Sequence, residues 1–287
     1  MDITHIYNGP IGLETRHAGP TDGEVVIMLH GFPECWNTWK HQLPVLAEAG
    51  YRVYAPNMRG YGLSSKPDGV DAYHVDQLIK DVDAIRRHSG AKKIHLVGHD
   101  WGAIVAWWYA LNKPEHLASL SILNVPHPTA FLKVLKSKPS QLLKSWYIFY
   151  FQLPFLPELT VPFKQFFFFR NVLARTSNKG SYEQSDYDEL LKHWKTPGSL
   201  KAMINYYRSA IRSQPKPPNG NTIDTPTQIL WGERDLALSL DMAYLSEKYL
   251  TNGSLTTYPD ATHWLAHDKP DEINQRLLGH FQTYSSH

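Results

Sequence analysis

Hydrophobic residues along this chain follow two patterns: short continuous runs, and longer segments in which apolar residues recur at helical spacing. Short runs predict buried strands, and helical spacing predicts helices that pack on them. The runs lie at residues 25–29, 52–55, 94–97 and 120–123, and the helical segments lie at about residues 75–87 and 101–112. This order is typical of a mostly parallel, doubly wound sheet with helices on both faces.

The alternation of strand and helix stops after residue 128. The chain that follows is aromatic and helical in pattern, and a Pro-rich stretch at 214–220 predicts the linker back into the sheet. The strand pattern resumes at 227–231 and 255–258, and a last helix is predicted at 271–281.

We therefore predict a core in two parts, residues 1–128 and 217–287, and a helical cap at residues 129–216. An insertion at this point covers the carboxyl ends of the parallel strands, where such sheets bind ligands.

The composition of the 287 residues is ordinary for a globular protein, with 42% hydrophobic and 20% charged residues. A net charge of +2 predicts neither nucleic acid nor a membrane as a partner. Cys35 is the only cysteine, so no intrachain disulfide can form, and the N-terminus lacks a signal-peptide pattern. Prolines and charged residues interrupt the apolar stretch at 146–169. We expect a cytoplasmic protein, and the sequence makes no prediction of its oligomeric state.

The strand at 94–97 runs directly into the sequence Gly-His-Asp-Trp-Gly at 98–102. This is the pattern of a nucleophile elbow, in which small residues permit a sharp strand-to-helix turn and the central side chain projects above the sheet. The central residue is Asp100, and the chain contains no Gly-x-Ser-x-Gly sequence. The alternative is that Asp100 only caps the following helix. Its place between a strand and a helix favours the nucleophile.

Candidates for the other two members of a catalytic triad also follow predicted strands. Asp235 comes after the strand at 227–231 and is preferred to Glu233 as the acid, and His263 comes after the strand at 255–258. Either residue alone would be an ordinary turn or loop residue. An aspartate, an acid and a histidine in this order after three strands favour a triad.

These features resemble the α/β-hydrolase family and, within it, the soluble, cap-bearing epoxide hydrolases. The resemblance extends from about residue 22 to residue 281. It rests on the His-Gly-Phe-Pro turn at 30–33, Arg-Gly-Tyr-Gly-Leu-Ser at 59–64, the elbow, Asn124-x-Pro126 and the loops of Asp235 and His263. One departure is Asn57, where relatives commonly have aspartate, and we interpret this position as structural. The resemblance implies the α/β-hydrolase fold with an inserted helical cap.

An aspartate nucleophile implies attack on saturated carbon and a covalent ester, because the carboxylate is already charged at neutral pH. His263, oriented by Asp235, is expected to deprotonate the water that hydrolyses the Asp100 ester. The resemblance implies that the backbone amides of Phe32 and Trp101 form the oxyanion hole of this second step. No cofactor and no metal ion are expected, since the histidines lack metal-binding spacing.

The leaving group separates epoxides from halides, because an epoxide oxygen leaves as an alkoxide that needs a proton or strong hydrogen bonds. The resemblance implies that Tyr147 and Tyr207 of the cap are the donors, since tyrosine keeps its proton at neutral pH. The alternative is that both tyrosines only pack. Together with Phe32, Trp101 and Phe149 they are expected to contact the substrate. We predict an epoxide hydrolase that converts small apolar epoxides and water to vicinal diols, with a preference for bulky aryl or alkyl groups.

Two other functions remain open at this point. A haloalkane or haloacid dehalogenase would use the same nucleophile, and the indole N–H of Trp101 could hold a halide. Against this, Phe32 stands where many dehalogenases have Asn or Glu, and fluoroacetate-type enzymes usually have Arg after the nucleophile. A catalytically retired receptor is the other alternative, and the complete set of Asp100, Asp235 and His263 argues against it.

Overall fold

The fold is built around one eight-stranded sheet. The structure is a computed structural model, and it describes residues 1–138, 141, 144, 146–212, 215, 217 and 220–285. The strands are β1 (Asp2–Asn8), β2 (Ile11–Ala18), β3 (Val25–Leu29), β4 (Arg52–Pro56), β5 (Ile94–His99), β6 (Leu117–Leu123), β7 (Thr227–Gly232) and β8 (Gly253–Tyr258). Their order across the sheet is β1-β2-β4-β3-β5-β6-β7-β8. The β1–β2 and β2–β4 pairs are antiparallel and the other pairs are parallel, which confirms the predicted fold class.

Helices connect the strands and cover both faces of the sheet. They are α1 (Gln42–Glu48), α2 (Val75–Ser89), α3 (Trp101–Asn112), α4 (Pro128–Ser137), α5 (Trp146–Tyr150), α6 (Leu156–Thr160), α7 (Phe163–Thr176), α8 (Gln184–Lys195), α9 (Ser199–Arg212), α10 (Leu240–Glu247), α11 (Leu265–Asp268) and α12 (Pro270–Thr283). α2 and α3 pack on one face of the sheet, and α1 and α12 pack on the other. Because both faces are covered, every residue of β3, β5, β6 and β7 is buried.

The N-terminal hairpin of β1 and β2 is not predicted by the hydrophobic pattern. β1 is mostly exposed, and its buried residue Ile6 pairs with Leu13 of β2. An antiparallel ribbon at the edge of a sheet buries only one face, so it lacks the continuous apolar run of a central strand. The sheet therefore begins at Asp2 and not at Val25.

Helices α4 to α9 lie between β6 and β7, and residues 128–212 are called the insertion below. Hydrogen bonds attach it to loops that follow parallel strands. The Trp194 indole N–H donates to the carbonyl of Pro33 after β3 at 2.6 Å, and the Tyr206 hydroxyl donates to the carbonyl of Arg59 after β4 at 2.7 Å. The insertion therefore lies over the carboxyl edge of the sheet. The linker predicted at 214–220 lies mostly outside the described residues.

The most apolar stretch of the sequence is divided among three helices. α5 and α6 have five residues each, and residues 164–166 near the start of α7 have positive φ angles between 46° and 59° that interrupt the helix. In the part of the chain that the structure describes, no helix is both long enough and apolar enough to cross a membrane.

Candidate active site

The turn between β5 and α3 holds Asp100 above the carboxyl end of the sheet. Asp100 has a φ of 49°, a strained conformation for a residue other than glycine. The two glycines of the motif permit the turn by close backbone approach. A Cβ on Gly98 would lie 2.6 Å from the Cα of Ala103, and one on Gly102 would overlap the carbonyl of Leu29. The backbone thus forms the elbow that the sequence predicts.

The loop after β3 supplies a hydrogen bond to the Asp100 carboxylate. The backbone N–H of Phe32 donates to Asp100 Oδ1 at 2.6 Å. Gly31 makes this contact possible, because a Cβ there would overlap the Asp100 side chain. Trp101 is the first residue of α3, so its N–H has no partner within the helix. Of the two amides predicted for an oxyanion hole, that of Phe32 therefore contacts the carboxylate, and that of Trp101 directly follows Asp100 in the chain.

His263 lies between two carboxylates. Its Nδ1 is 2.7 Å from Asp235 Oδ2, and its Nε2 is 3.5 Å from Asp100 Oδ2. Burial alone would lower the pKa of His263, but the two carboxylates outweigh burial and raise that pKa well above its usual value. Burial alone would raise the pKa of Asp100 and Asp235, but contact with His263 holds both below their usual range. The three predicted triad residues form one buried, charged unit.

Asn124 holds Asp235 in place, a role that sequence reasoning missed. Asp235 Oδ1 accepts hydrogen bonds from the backbone N–H groups of Ala237 and Leu238, at 2.8 Å and 2.9 Å. Its Oδ2 accepts one from the Asn124 amide at 2.9 Å, and the Asn124 amide oxygen accepts one from the N–H of Gly232 at 2.9 Å. The signal in the sequence is a polar residue directly after β6, but its partner depends on the pairing of β6 with β7.

A second buried polar cluster beside His263 was also missed. His99 Nε2 donates to the carbonyl oxygen of His263 at 2.8 Å, and its Nδ1 is 3.4 Å from Glu34 Oε2. Glu34 Oε1 accepts from the Tyr182 hydroxyl at 2.9 Å and from His267 Nε2 at 2.7 Å. Burial would raise the pKa of Glu34, but His267 and His99 hold it well below its usual range. The available signal was a glutamate in an otherwise apolar loop.

Tyr147 of α5 and Tyr207 of α9 face each other near the nucleophile. Their ring centroids are 5.9 Å apart, and the Tyr207 ring lies 5.1 Å from Phe32 and 5.0 Å from the Trp101 ring. Burial raises the pKa of both tyrosines, and the negative charge of Asp100 raises it further. Both hydroxyl groups therefore keep their protons at neutral pH.

Phe149, a predicted substrate contact, lies outside this cluster. Its side chain is 56% exposed, whereas Phe151 is buried, 5.4 Å from Phe32 and 5.0 Å from Tyr207. Residues four apart share a helix face, so Phe151 lies on the same side as Tyr147, and Phe149 points away from it. The geometry therefore places Phe151, and not Phe149 as expected, in the aromatic cluster beside Tyr207.

The sequence matches the alpha/beta hydrolase fold family over residues 24–270. The AB hydrolase superfamily protein YfhM of Bacillus subtilis is 38% identical over 274 residues, which cover 95% of each chain. Human epoxide hydrolase 4 is 35% identical over 266 residues, which cover 91% of this chain and 73% of the human protein.

Solved structures of an epoxide hydrolase are also similar to this chain. An epoxide hydrolase from Bacillus megaterium, in complex with an inhibitor, superimposes with a TM-score of 0.88 at 28% identity, over 97% of this chain and 100% of that chain. A variant of that enzyme that holds its naphthyloxy-propanediol product superimposes with a TM-score of 0.89, also at 28% identity and over 97% and 100% of the two chains. The chain therefore belongs to the epoxide hydrolase family of the α/β-hydrolase superfamily, as its motifs predict.

Proposed function

We propose that this chain hydrolyses epoxides to vicinal diols through a covalent ester on Asp100. One arrangement carries the proposal: a charged carboxylate at the elbow lies close to two buried tyrosines that keep their protons. A carboxylate opens an epoxide ring readily only if the departing oxygen is stabilised as charge develops on it. The names of the relatives support the same substrate class.

In the first step, Asp100 Oδ2 attacks a ring carbon, because Oδ1 already accepts the N–H of Phe32. A bond forms between Oδ2 and the carbon while the ring carbon–oxygen bond breaks, and its electron pair passes to the oxygen. That oxygen takes a proton from Tyr147 or Tyr207. The product is a hydroxyalkyl ester of Asp100, whose carbonyl oxygen stays against the Phe32 amide.

Ester formation changes His263 from a charged partner into a base. Two carboxylates raise the pKa of His263, and the ester removes the charge of one of them. The pKa of His263 therefore falls, and its imidazolium passes a proton to the tyrosinate that the first step leaves, which restores the tyrosine and makes His263 neutral. The same residue thus stabilises the nucleophile in the free enzyme and accepts a proton in the ester.

In the second step, neutral His263 Nε2 takes a proton from water as the water oxygen bonds to Cγ of Asp100. The oxyanion that forms accepts hydrogen bonds from the amides of Phe32 and Trp101. Its collapse breaks the bond between Cγ and the ester oxygen, which leaves in the diol with the proton from His263. The remaining acid proton of Asp100 returns to His263, and the charged pair is restored.

We propose that the insertion serves as the cap of this site. It contributes Tyr147, Phe151 and Tyr207, whereas the sheet side contributes Phe32 and Trp101. This aromatic lining favours apolar epoxides with aryl or alkyl groups over small polar ones. The naphthyloxy product of the Bacillus megaterium relative is of that kind.

One turnover in heavy-oxygen water, with enzyme in excess, tests the ester route. The first diol should contain an unlabelled oxygen from Asp100, and the label should enter the Asp100 carboxylate. Label in that first diol would mean direct attack by water and would exclude the ester. The Asp100→Ala variant lacks the nucleophile and should form no diol.

Dehalogenase chemistry would use the same nucleophile with a different site for the leaving group. A halide needs N–H donors, but the groups that line this position are the Phe32 ring, which has no polar side chain, and two buried tyrosines that keep their protons. The geometry therefore favours an epoxide oxygen at this position. Turnover of haloalkanes by an enzyme that is inert toward epoxides would reverse this assignment, and absence of turnover on both classes would favour a receptor.

A further inference from the structure

Large apolar side chains project into solvent from the first half of the insertion. Six of them are between 54% and 78% exposed, and we call them the apolar patch: Trp146, Phe149, Phe155, Leu159, Phe163 and Phe167. Soluble monomers seldom expose a contiguous apolar surface of this kind unless it is a binding site.

The helices that carry the apolar patch contact one another. The ring of Trp146 in α5 lies 6.4 Å from that of Phe168 in α7. The hydroxyl of Tyr150 in α5 hydrogen-bonds with Thr160 in α6. The residues of the apolar patch therefore lie on three helices that contact one another, or, for Phe155, directly before one of them.

The chain around the apolar patch is strongly cationic. Residues 130–179 contain eight Lys and Arg and a single acid, Glu158, whereas the rest of the chain has 21 basic and 26 acidic residues. The segment therefore carries +7 and the remainder −5. Glu158 is itself paired with Arg208 at 2.6 Å, and Lys138 of the segment is paired with Asp241. Lys144 and Lys164, which lie beside patch residues in the sequence, are both exposed.

We propose that the apolar patch docks this protein on the surface of an anionic lipid bilayer. The apolar side chains enter the headgroup region, and the surrounding Lys and Arg side chains attract the lipid phosphates. A second copy of the chain fits this surface poorly, because a two-fold contact would place two cationic segments against each other. The expectation of no membrane partner followed from the whole-chain charge, which conceals this separation of charge.

Helix α5 connects the apolar patch to the candidate active site. Its Tyr147 faces Tyr207 inside the site, while Trp146 and Phe149 of the same helix belong to the apolar patch. An apolar epoxide dissolved in the bilayer would therefore meet the docked side of the molecule first. This consequence for the substrate rests on the proposed function, whereas docking itself does not.

Vesicle flotation tests docking without turnover. The intact protein should float with vesicles of phosphatidylcholine and phosphatidylglycerol, and should bind pure phosphatidylcholine about ten-fold more weakly. Phe155→Asp combined with Leu159→Asp should weaken binding by about ten-fold or more, because two apolar side chains no longer enter the headgroup region. Ile3→Asp combined with Leu63→Asp is the matched control, since both side chains are exposed and apolar but lie outside the apolar patch.

A second pair of variants tests the charge. Lys144→Glu with Lys164→Glu should remove the preference for anionic vesicles and its salt dependence, whereas Lys92→Glu with Lys93→Glu should retain both. Equal binding to both kinds of vesicle, or undiminished binding by the Phe155→Asp pair, would overturn the proposal. Self-association in solution that the same pair abolishes would also overturn it, since the surface would then be a subunit contact. Because no substrate is present, these outcomes leave the proposed chemistry untouched.

Discussion

Removal of the two tyrosine hydroxyls tests the substrate class. In the Tyr147→Phe and Tyr207→Phe variants the ring packing is kept, but the departing oxygen loses a donor. A hydrogen bond to a charged group contributes about 1.5–3 kcal/mol, which corresponds to about 10- to 100-fold in the rate of ester formation for each single variant. The double variant should lose about 10²- to 10⁴-fold, because the alkoxide would then form among aromatic rings without a donor.

Stopped-flow tryptophan fluorescence in a single turnover measures this step, because Trp101 adjoins Asp100 and its ring lies 5.0 Å from Tyr207. Tyr206→Phe is the matched control, since the Tyr206 hydroxyl donates to the carbonyl of Arg59 and not to the site. It should lower the free energy of unfolding by about 1 kcal/mol and leave ester formation unchanged. If the double variant forms the ester within about ten-fold of the unmodified rate, the tyrosines are not the donors and the reasoning fails.

Three further predictions concern the second step and its pH dependence. His263→Gln should trap the ester, which the mass of the intact protein would reveal as the addition of one substrate; an unchanged mass after exposure to epoxide would contradict this. Asp235→Asn removes the charge 2.7 Å from His263 and should slow ester hydrolysis about 10⁴-fold, with a smaller effect on ester formation. Equal slowing of both steps would argue against an orienting role. Ester formation should be constant down to about pH 4 and be lost only as Asp100 protonates, because its pKa lies below the ordinary value of about 3.9. Ester hydrolysis should instead increase with pH as His263 of the ester loses its proton, so identical profiles in rapid-mixing experiments would refute the role of the Asp100 charge.

Features that depend on neighbouring residues could be predicted from the sequence alone. The central strands have continuous apolar runs because both faces of the sheet are covered, and this pattern is visible without coordinates. The elbow can also be predicted from neighbouring residues, because Gly98 and Gly102 have no Cβ and so permit the close backbone contacts on either side of Asp100. The hairpin before Val25 was missed because an edge ribbon has no such run.

Contacts between residues that are far apart in the sequence depend on how the chain folds. Asn124 meets Asp235 because β6 lies beside β7, and Glu34 meets His267 through a loop and a helix that are far apart in the sequence. A hydrophobic pattern ranks residues by burial, but it does not specify which buried polar groups become partners.

Helix α5 is the clearest example of a feature that the hydrophobic pattern does not specify. The sequence shows that the stretch from 146 to 169 is aromatic and interrupted, and it predicts Phe149 as a substrate contact. The fold turned Tyr147 and Phe151 inward and left Phe149 in solvent beside a cationic surface. In a five-residue helix rich in aromatic side chains, composition cannot distinguish the inner face from the outer one. Only the packing of α5 against α9 and the sheet sets that orientation.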